Sequence, residues 1–286
     1  MESQKRYPRI FSCEFFPPYT SEGMEKWRRT RLELEKLKPA FFSVTFGAGG
    51  TTRDRTVEIV QEIHRESAVE ATPHLTCVGS TRDNIRALLD CYRNQGIRHI
   101  VALRGDLPSG MRDPGEFRHA NELVGFIRAE TGDHFHIEVA AYPEFHPQAT
   151  SVEQDLLHFQ HKVAVGANSA ITQYFYNAEA YFRFIDSCDR LGISIPIVPG
   201  IMPITNFKQL ARFSDNCGAE IPRWIRKRLE GFGDDRESLR AFGLDVVTAM
   251  CHRLLEQGAP GLHFYTMNQF RMTRTLWERL GLPGAD

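Results

Sequence analysis

Residues 10–46 read IFSCEFFPPYTSEGMEKWRRTRLELEKLKPAFFSVTF, and their pattern decides the architecture. Ile10–Phe15 is a short apolar run of strand length. The stretch from Glu22 to Leu37 carries apolar residues at helical spacing, with Ser21 as the expected N-cap. Phe41–Phe46 is a second short apolar run. Strand, helix and strand in this order form a βαβ unit, the crossover that a parallel pair requires. A doubly wound open sheet would place a glycine-rich phosphate loop after the first strand. That place holds Glu14-Phe15-Phe16-Pro17-Pro18, with no glycine.

The same unit repeats outward along the chain. Arg53–Glu66 reads as a helix, with Thr51 and Asp54 as a capping box. Ala71–Val78 is the third strand, and Thr81 caps a helix over Arg82–Gln95. His99–Leu103 is the fourth strand; a Gly/Pro-rich loop and the helix Glu116–Glu130 follow. His136–Ala141 is the fifth, and Ser151 with Gln154 forms a capping box for Val152–Val165. Ala170–Tyr176 is the sixth, followed by the helix Ala178–Leu191. Ile195–Ile201 is the seventh, with Thr205 capping Asn206–Asn216, and a helical insertion covers Pro222–Gln257. Gly261–Tyr265 is the eighth, and Gln269–Leu280 closes the chain. Eight strands, each followed by a helix, predict an α/β (β/α)8 TIM barrel, and 286 residues suit a single barrel domain over 1–286. The strands are nearly all apolar, as expected where both faces are buried.

Composition narrows the function. Basic and acidic residues number 35 and 36, a net charge of -1, which argues against broad electrostatic binding of nucleic acid or a membrane surface. Met1–Arg9 is polar with no apolar h-region after it, and runs such as Ile195–Met202 are too short to span a bilayer. Six cysteines without a CxxC pair suit free thiols in a reducing cytoplasm.

In this fold the active site lies at the C-terminal ends of the strands. Those ends are polar here: Glu14, Thr45, His74 and Thr76, Arg104-Gly105-Asp106, Tyr142 with Glu144 and His146, Gln173 and Tyr176, and Tyr265. Phe15, Phe16, Pro17 and Pro18 are expected to desolvate the Glu14 carboxyl and favour its protonated form, which suits a general acid. The Gly47–Gly50 loop has neither P-loop nor dinucleotide spacing and is compatible with a tight turn. Arg104 and Asp106 read either as a surface ion pair of about 0–1 kcal/mol or as a phosphate or flavin contact beside a ring acceptor. His158 and His161 are spaced i, i+3 on a helix without an obvious third ligand, so no metal site is expected.

Several stretches together closely resemble the methylenetetrahydrofolate reductase family. They are FSCEFFPP (11–18), SVTFGAGGTTRDRT (43–56), ATPHLTCVGSTRDN (71–84), VALRGDLP (101–108), AAYPEFHPQA (140–149), GANSAITQYFYN (166–177), PGIMPITNFKQLARF (199–213) and LHFYTMN (262–268). The resemblance implies FAD at the barrel mouth. A hydride would pass from NADH or NADPH to FAD and then to 5,10-methylenetetrahydrofolate, in a ping-pong sequence giving 5-methyltetrahydrofolate. It implies Glu14 as the general acid that helps open the folate's five-membered ring to an iminium. It implies Asp106 as the aspartate that binds the pterin near the flavin and tunes it. Thr45, His74, Arg104, Gly105, His119, Ala120, Tyr142, His146, Asp155, His158, His161 and Lys162 fall at FAD-contacting positions, with Lys162 suited to the diphosphate and Asp155 to a ribose hydroxyl. Gln173, Gln209, Phe213 and Tyr265 fall on the substrate side.

The sequence departs from the family pattern in places. His119 stands where tyrosine is common. His158 and His161 replace asparagine and arginine, which makes FAD retention depend on pH. Gln269 stands where arginine is frequent, with Arg271 as the candidate substitute. The resemblance implies a homo-oligomer, leaves NADH and NADPH both open, and leans to NADH. The rival readings are another FAD barrel of the proline dehydrogenase kind, a folate-binding methyl-transfer barrel, and a non-catalytic flavin- or folate-binding protein.

Overall fold

The computed structural model describes residues 1–46, 53–106 and 115–284. The expected Gly47–Gly50 turn, the Thr51 cap and most of the loop after the fourth strand lie outside the described residues.

A short α1 (Glu2–Lys5) precedes β1 (Ile10–Phe15), α2 (Ser21–Glu35), β2 (Phe41–Val44), α3 (Arg53–Glu66) and β3 (Glu70–Thr76). Then come α4 (Arg82–Asn94), β4 (His99–Leu103), α5 (Ala120–Thr131), β5 (His136–Ala141) and α6 (Val152–Ala164). The chain continues with β6 (Ser169–Thr172), α7 (Ala178–Arg190), β7 (Ile197–Val198), β8 (Gly200–Ile201) and α8 (Phe207–Cys217). It ends with α9 (Arg223–Gly231), α10 (Arg236–Glu256), β9 (Gly261–Tyr265) and α11 (Phe270–Arg279). The sheet order is β7-β6-β5-β4-β3-β2-β1-β9-β8, all parallel. This is the expected TIM barrel, with the seventh strand divided. Pro199 parts it into β7, which pairs with β6, and β8, which pairs with β9. Proline has no N–H to give to a ladder, but its carbonyl still accepts from the His263 amide at 2.9 Å.

Cap chemistry shifts some helix starts. The cap of α2 is Thr20, whose hydroxyl accepts from the Gly23 amide at 3.0 Å, and not Ser21. The cap of α8 is Asn206, and not Thr205. Ser151 caps α6 as expected, but the Gln154 side chain takes the Thr150 hydroxyl instead of completing the box.

Side-chain alternation divides each strand between two environments. Phe11 and Phe15 of β1 face the helices, where Phe11 meets Trp277 and Phe15 meets Trp27 edge-on. Ser12 and Glu14 therefore face the lumen. The expectation of apolar residues on both faces fails there: the lumen carries Ser12, Ser43, Thr72, His74, His99, Glu138, Ser169 and His263, all buried. Branched aliphatic residues fill most such barrels; here a polar column runs beneath the mouth.

Candidate active site

Glu14 sits near the top of that column. Its Oε2 lies 3.3 Å from His74 Nε2 and 3.6 Å from His263 Nε2. Neither approach is aligned well enough for a full hydrogen bond, and both nitrogens are buried without another partner. His263 Nδ1 lies 2.7 Å from Ser12 Oγ. If Ser12 donates to Nδ1, the tautomer is fixed with Nε2–H directed at Glu14. Burial pushes the Glu14 carboxyl up, but His263 and His74 together outweigh it and hold the group at about 2. The expected protonated carboxyl is thus corrected. Phe15 points out to Trp27, and Phe16 is 38% exposed, so neither encloses the carboxyl. His74 belongs to this cluster and, like Thr45, does not line the cavity described next.

That cavity, about 460 Å3, lies beyond the ends of β4 and β5. Arg104, Gly105, Asp106, His119, Ala120, Tyr142, His146, Asp155, His158, His161 and Lys162 all line it, so the structure brings together residues that the sequence scatters. Gly105 turns β4 into the rim with φ of 85°, a left-handed conformation suited to glycine. A Cβ there would stand 2.9 Å from the Thr76 Cβ. Arg104 does not pair with Asp106; its guanidinium donates to the Gly105 carbonyl at 3.2 Å and to Gln148 Oε1 at 2.6 Å. The surface ion pair is therefore excluded as the reason for this Arg-Gly-Asp run.

Helix α6 supplies the opposite wall. Ser151 starts it so that Asp155, His158 and Lys162 share one face at helical spacing. Asp155 Oδ2 accepts the His146 amide at 2.8 Å, and its other oxygen takes no hydrogen bond among the described residues. Lys162 donates its ammonium to the Ala140 carbonyl and has no carboxylate at ion-pair distance among the described residues. Burial lowers its pKa to about 8. Burial also raises the Tyr142 phenol to about 12, helped by Asp106 and Asp155.

The remaining residues lie across the mouth. Tyr265 ends β9, and its hydroxyl donates to the Thr172 carbonyl at 2.8 Å. Gln173 follows β6 and turns its Oε1 to the Tyr174 amide at 3.0 Å. Gln209 and Phe213 are half-buried on consecutive turns of α8. The sequence does not single out Ser12, His263 or Gln148. For His263 a signal exists: it stands two positions before Tyr265, so alternation places it on the same lumen face, in register with Ser12. Among the described residues no group of three His, Cys, Asp or Glu side chains could hold a metal. No helix among them is long and apolar enough to cross a membrane.

Ionisable groups gathered at the C-terminal rim, next to a concave and cation-lined surface, put this chain among barrel enzymes that act on small molecules. Comparison with known proteins makes the class specific. The chain belongs to the methylenetetrahydrofolate reductase family, whose model matches residues 2–281. It is 45% identical over 274 residues to the 5,10-methylenetetrahydrofolate reductase of Salmonella typhimurium, covering 96% of this chain and 91% of the relative. The corresponding enzyme of Escherichia coli is 44% identical over the same shares. Among solved structures, an uncharacterized protein from Clostridium thermocellum that binds two copies of 5-methyl-5,6,7,8-tetrahydrofolic acid matches with a TM-score of 0.64. At 18% identity, over 92% of this chain and 90% of that one, the likeness speaks for the fold alone.

Proposed function

We propose that this chain reduces 5,10-methylenetetrahydrofolate to 5-methyltetrahydrofolate, with NADH or NADPH as reductant and FAD as the carrier that both substrates meet in turn. The observation that carries the FAD part is Lys162. It is a cation with its pKa lowered by burial and no carboxylate at ion-pair distance among the described residues, and it faces a cavity of about 460 Å3 shared with Arg104, His158 and His161. Such a donor set suits a diphosphate, and the other oxygen of Asp155 suits a ribose hydroxyl. When bound, FAD supplies the hydride chemistry; the protein positions and tunes it.

The residues divide the remaining work. Gly105, Ala120, Tyr142 and His146 would shape the cavity, and His119 would lie over its edge beside His158, the two rings 6.1 Å apart. Thr45, just after β2, and His74 of β3 would meet the ring end of the group. Asp106 is exposed at the cavity edge; its charge would disfavour negative charge on a ring bound beside it. Gln173, Gln209, Phe213 and Tyr265 would hold the folate, with an aromatic ring to stack on a flat ligand. Glu14 would serve as the acid. In the free site it is ionised, so the proton must be gained after the substrate closes over it. Excluding water from the carboxyl raises its proton affinity, and His263, oriented by Ser12, is placed to direct its Nε2–H at the carboxylate until then.

Anaerobic reduction of the purified protein by NADH, followed by addition of methylenetetrahydrofolate, tests the reading. Flavin absorbance should bleach in the first step and return in the second, and heat-released cofactor should run as FAD on chromatography. FMN in the extract, or a flavin that proline reduces and the folate does not reoxidise, would overturn it.

A further inference from the structure

The polar column beneath Glu14 continues to the opposite rim of the barrel, where it is built around a second buried carboxylate, Glu138 of β5. Glu138 Oε2 lies 3.2 Å from His99 Nε2. Its Oε1 accepts the Ser169 hydroxyl at 3.2 Å, and Ser169 Oγ in turn lies 2.7 Å from His136 Nε2. Because the Ser169 proton is given to Glu138, the imidazole N–H must be the donor in that second contact. His136 opens β5 at the N-terminal rim and is exposed. Both donors therefore point inward, from solvent to a carboxylate. Burial and the neighbouring His99 lower His136 to about 4, so it acts as a neutral ring. Burial alone would raise the Glu138 carboxyl, but His99, with His263 and His136, turns the net shift downward, so Glu138 rests ionised.

This lower cluster adjoins the upper one. The Phe41 ring lies 4.5 Å from the His99 ring and 5.9 Å from that of His263. Burial raises the Tyr265 phenol, and Glu14 and Glu138 both add to the effect. Around the two carboxylates the lumen carries buried polar atoms without a hydrogen bond among the described residues: Ser43 Oγ, Thr72 Oγ1, His74 Nε2, His99 Nε2, Glu138 Oε2 and His263 Nε2. They come from β2, β3, β4, β5 and β9, which together with β1 stand side by side in the ring. Buried polar atoms are as a rule bonded to protein or to ordered water. Six orphans converging on one lumen point to internal water as their shared partner.

The reaction read above needs a proton from this side. Glu14 is ionised in the free site and must be protonated after the folate has closed the mouth. Each turnover then spends that proton: the ring C–N bond breaks, its electron pair stays on nitrogen and takes the proton, and the flavin hydride adds to the methylene carbon. We propose that the barrel lumen is a proton path, in which His136 and Ser169 load Glu138 from the N-terminal rim and internal water held by His99, His263 and their neighbours carries the proton on to Glu14 while the folate covers the mouth. The proposal rests on the reading of Glu14 as the acid. Glu138 releases a proton from Oε2 and takes the next at Oε1 from Ser169. Ser169 is refilled by His136 Nε2, and His136 takes its replacement from solvent at Nδ1. No group gains or loses a proton over the full cycle except solvent and the folate.

The test follows both half-reactions by stopped-flow absorbance, using the full chain with its flavin. Glu138→Gln keeps the shape and hydrogen bonds of the side chain but cannot take up and release the proton. Its reoxidation by saturating methylenetetrahydrofolate should slow by about tenfold or more, part of what a general acid contributes, while reduction by NADH keeps its rate. The slowed step should carry a larger solvent deuterium isotope effect than in the wild type, which a merely structural loss would not produce. His136→Ala, at the exposed rim, serves if Glu138→Gln folds poorly: it should lose part of the reoxidation rate in dilute buffer and regain it on addition of imidazole. Unchanged reoxidation in either variant, equal losses in both half-reactions, or a His136→Ala loss that imidazole does not restore would overturn the path. A crystal structure of the flavin-loaded protein gives a readout without turnover: ordered water should lie within hydrogen-bond distance of Glu138 Oε2 and His263 Nε2. A dry lumen would overturn the proposal even in an active enzyme, whereas a wet lumen in a protein that the folate never reoxidises would place the failure in the reading of the activity and not in the water file.

Discussion

Gly200 packs directly against Tyr265: a Cβ built on Gly200 would stand 2.6 Å from Tyr265 Cε2 and 2.8 Å from its hydroxyl oxygen. The same Cβ would stand 2.2 Å from the Thr172 carbonyl oxygen that the hydroxyl binds. Glycine is needed here for space, not for its backbone angles. Gly200→Ala should cost about 1–3 kcal/mol through overpacking, and should raise KM for the folate by displacing Tyr265 while leaving flavin content unchanged. Thermal unfolding and steady-state kinetics check both effects; a wild-type Tm together with a wild-type KM would show that the ring moves aside freely.

Glu14→Gln separates the two half-reactions. Reduction by the nicotinamide needs no protonation of the folate, whereas opening of the folate ring needs an acid. The variant should therefore bleach at the wild-type rate with NADH, and its reoxidation by methylenetetrahydrofolate should slow by about 10²-fold or more. Stopped-flow absorbance follows each step. Equal losses in both would make Glu14 structural.

The same carboxyl leaves a mark on stability. Its pKa in the fold is lowered to about 2 from 4.5, so its contribution is present above about 4.5 and is lost as pH falls towards 2. The stability gap between wild type and Glu14→Gln, measured by urea unfolding, should narrow over that interval. A gap that is flat with pH would mean that the histidine contacts do not favour the ionised form.

Lys162 links pH to flavin binding. Its pKa lies at about 8 in the free site, against 10.5 ordinarily. An anion beside it favours the charged form, so FAD binding takes up a proton above that pH and affinity should fall as pH rises through 8. The stability of the apoprotein should move the other way between 8 and 10.5, because there the unfolded chain binds the extra proton. Lys162→Gln should weaken FAD by about tenfold and flatten both trends. An alkaline profile that persists in the variant would assign it to another group.

Asn268 has φ of 52° and ties Phe16 through both ends of its amide. Asn268→Ala loses the two hydrogen bonds and carries the left-handed strain, about 1–2 kcal/mol for the strain alone. Asn268→Gly loses only the bonds. Unfolding free energies should therefore rank wild type, Gly, Ala, and a reversal of Gly and Ala would contradict the backbone angle.

Much of the scaffold is legible along the chain, because strand–helix alternation and cap residues are local. Ile10–Phe15, His99–Leu103, His136–Ala141 and Gly261–Tyr265 fall where their apolar runs stop, and Thr81 and Ser151 cap the helices they precede. Arg104 through Lys162 were likewise marked by type and by resemblance, and they meet around one cavity because barrel closure gathers strand ends. What the sequence could not determine depends on neighbours distant along the chain. The proton state of Glu14 is decided by His74 and His263, at separations of 60 and 249 residues, and not by the adjacent Phe15 and Phe16. The seventh strand divides at Pro199 because two different strands claim its halves. Lys26, Arg29, Arg240 and Arg271, beside the mouth, come from three helices, and only packing brings them to one cavity. Local propensity and alternation thus fixed the elements and the faces they present, while charge balance and proton affinity, which fall off with distance through space, were decided by the tertiary structure.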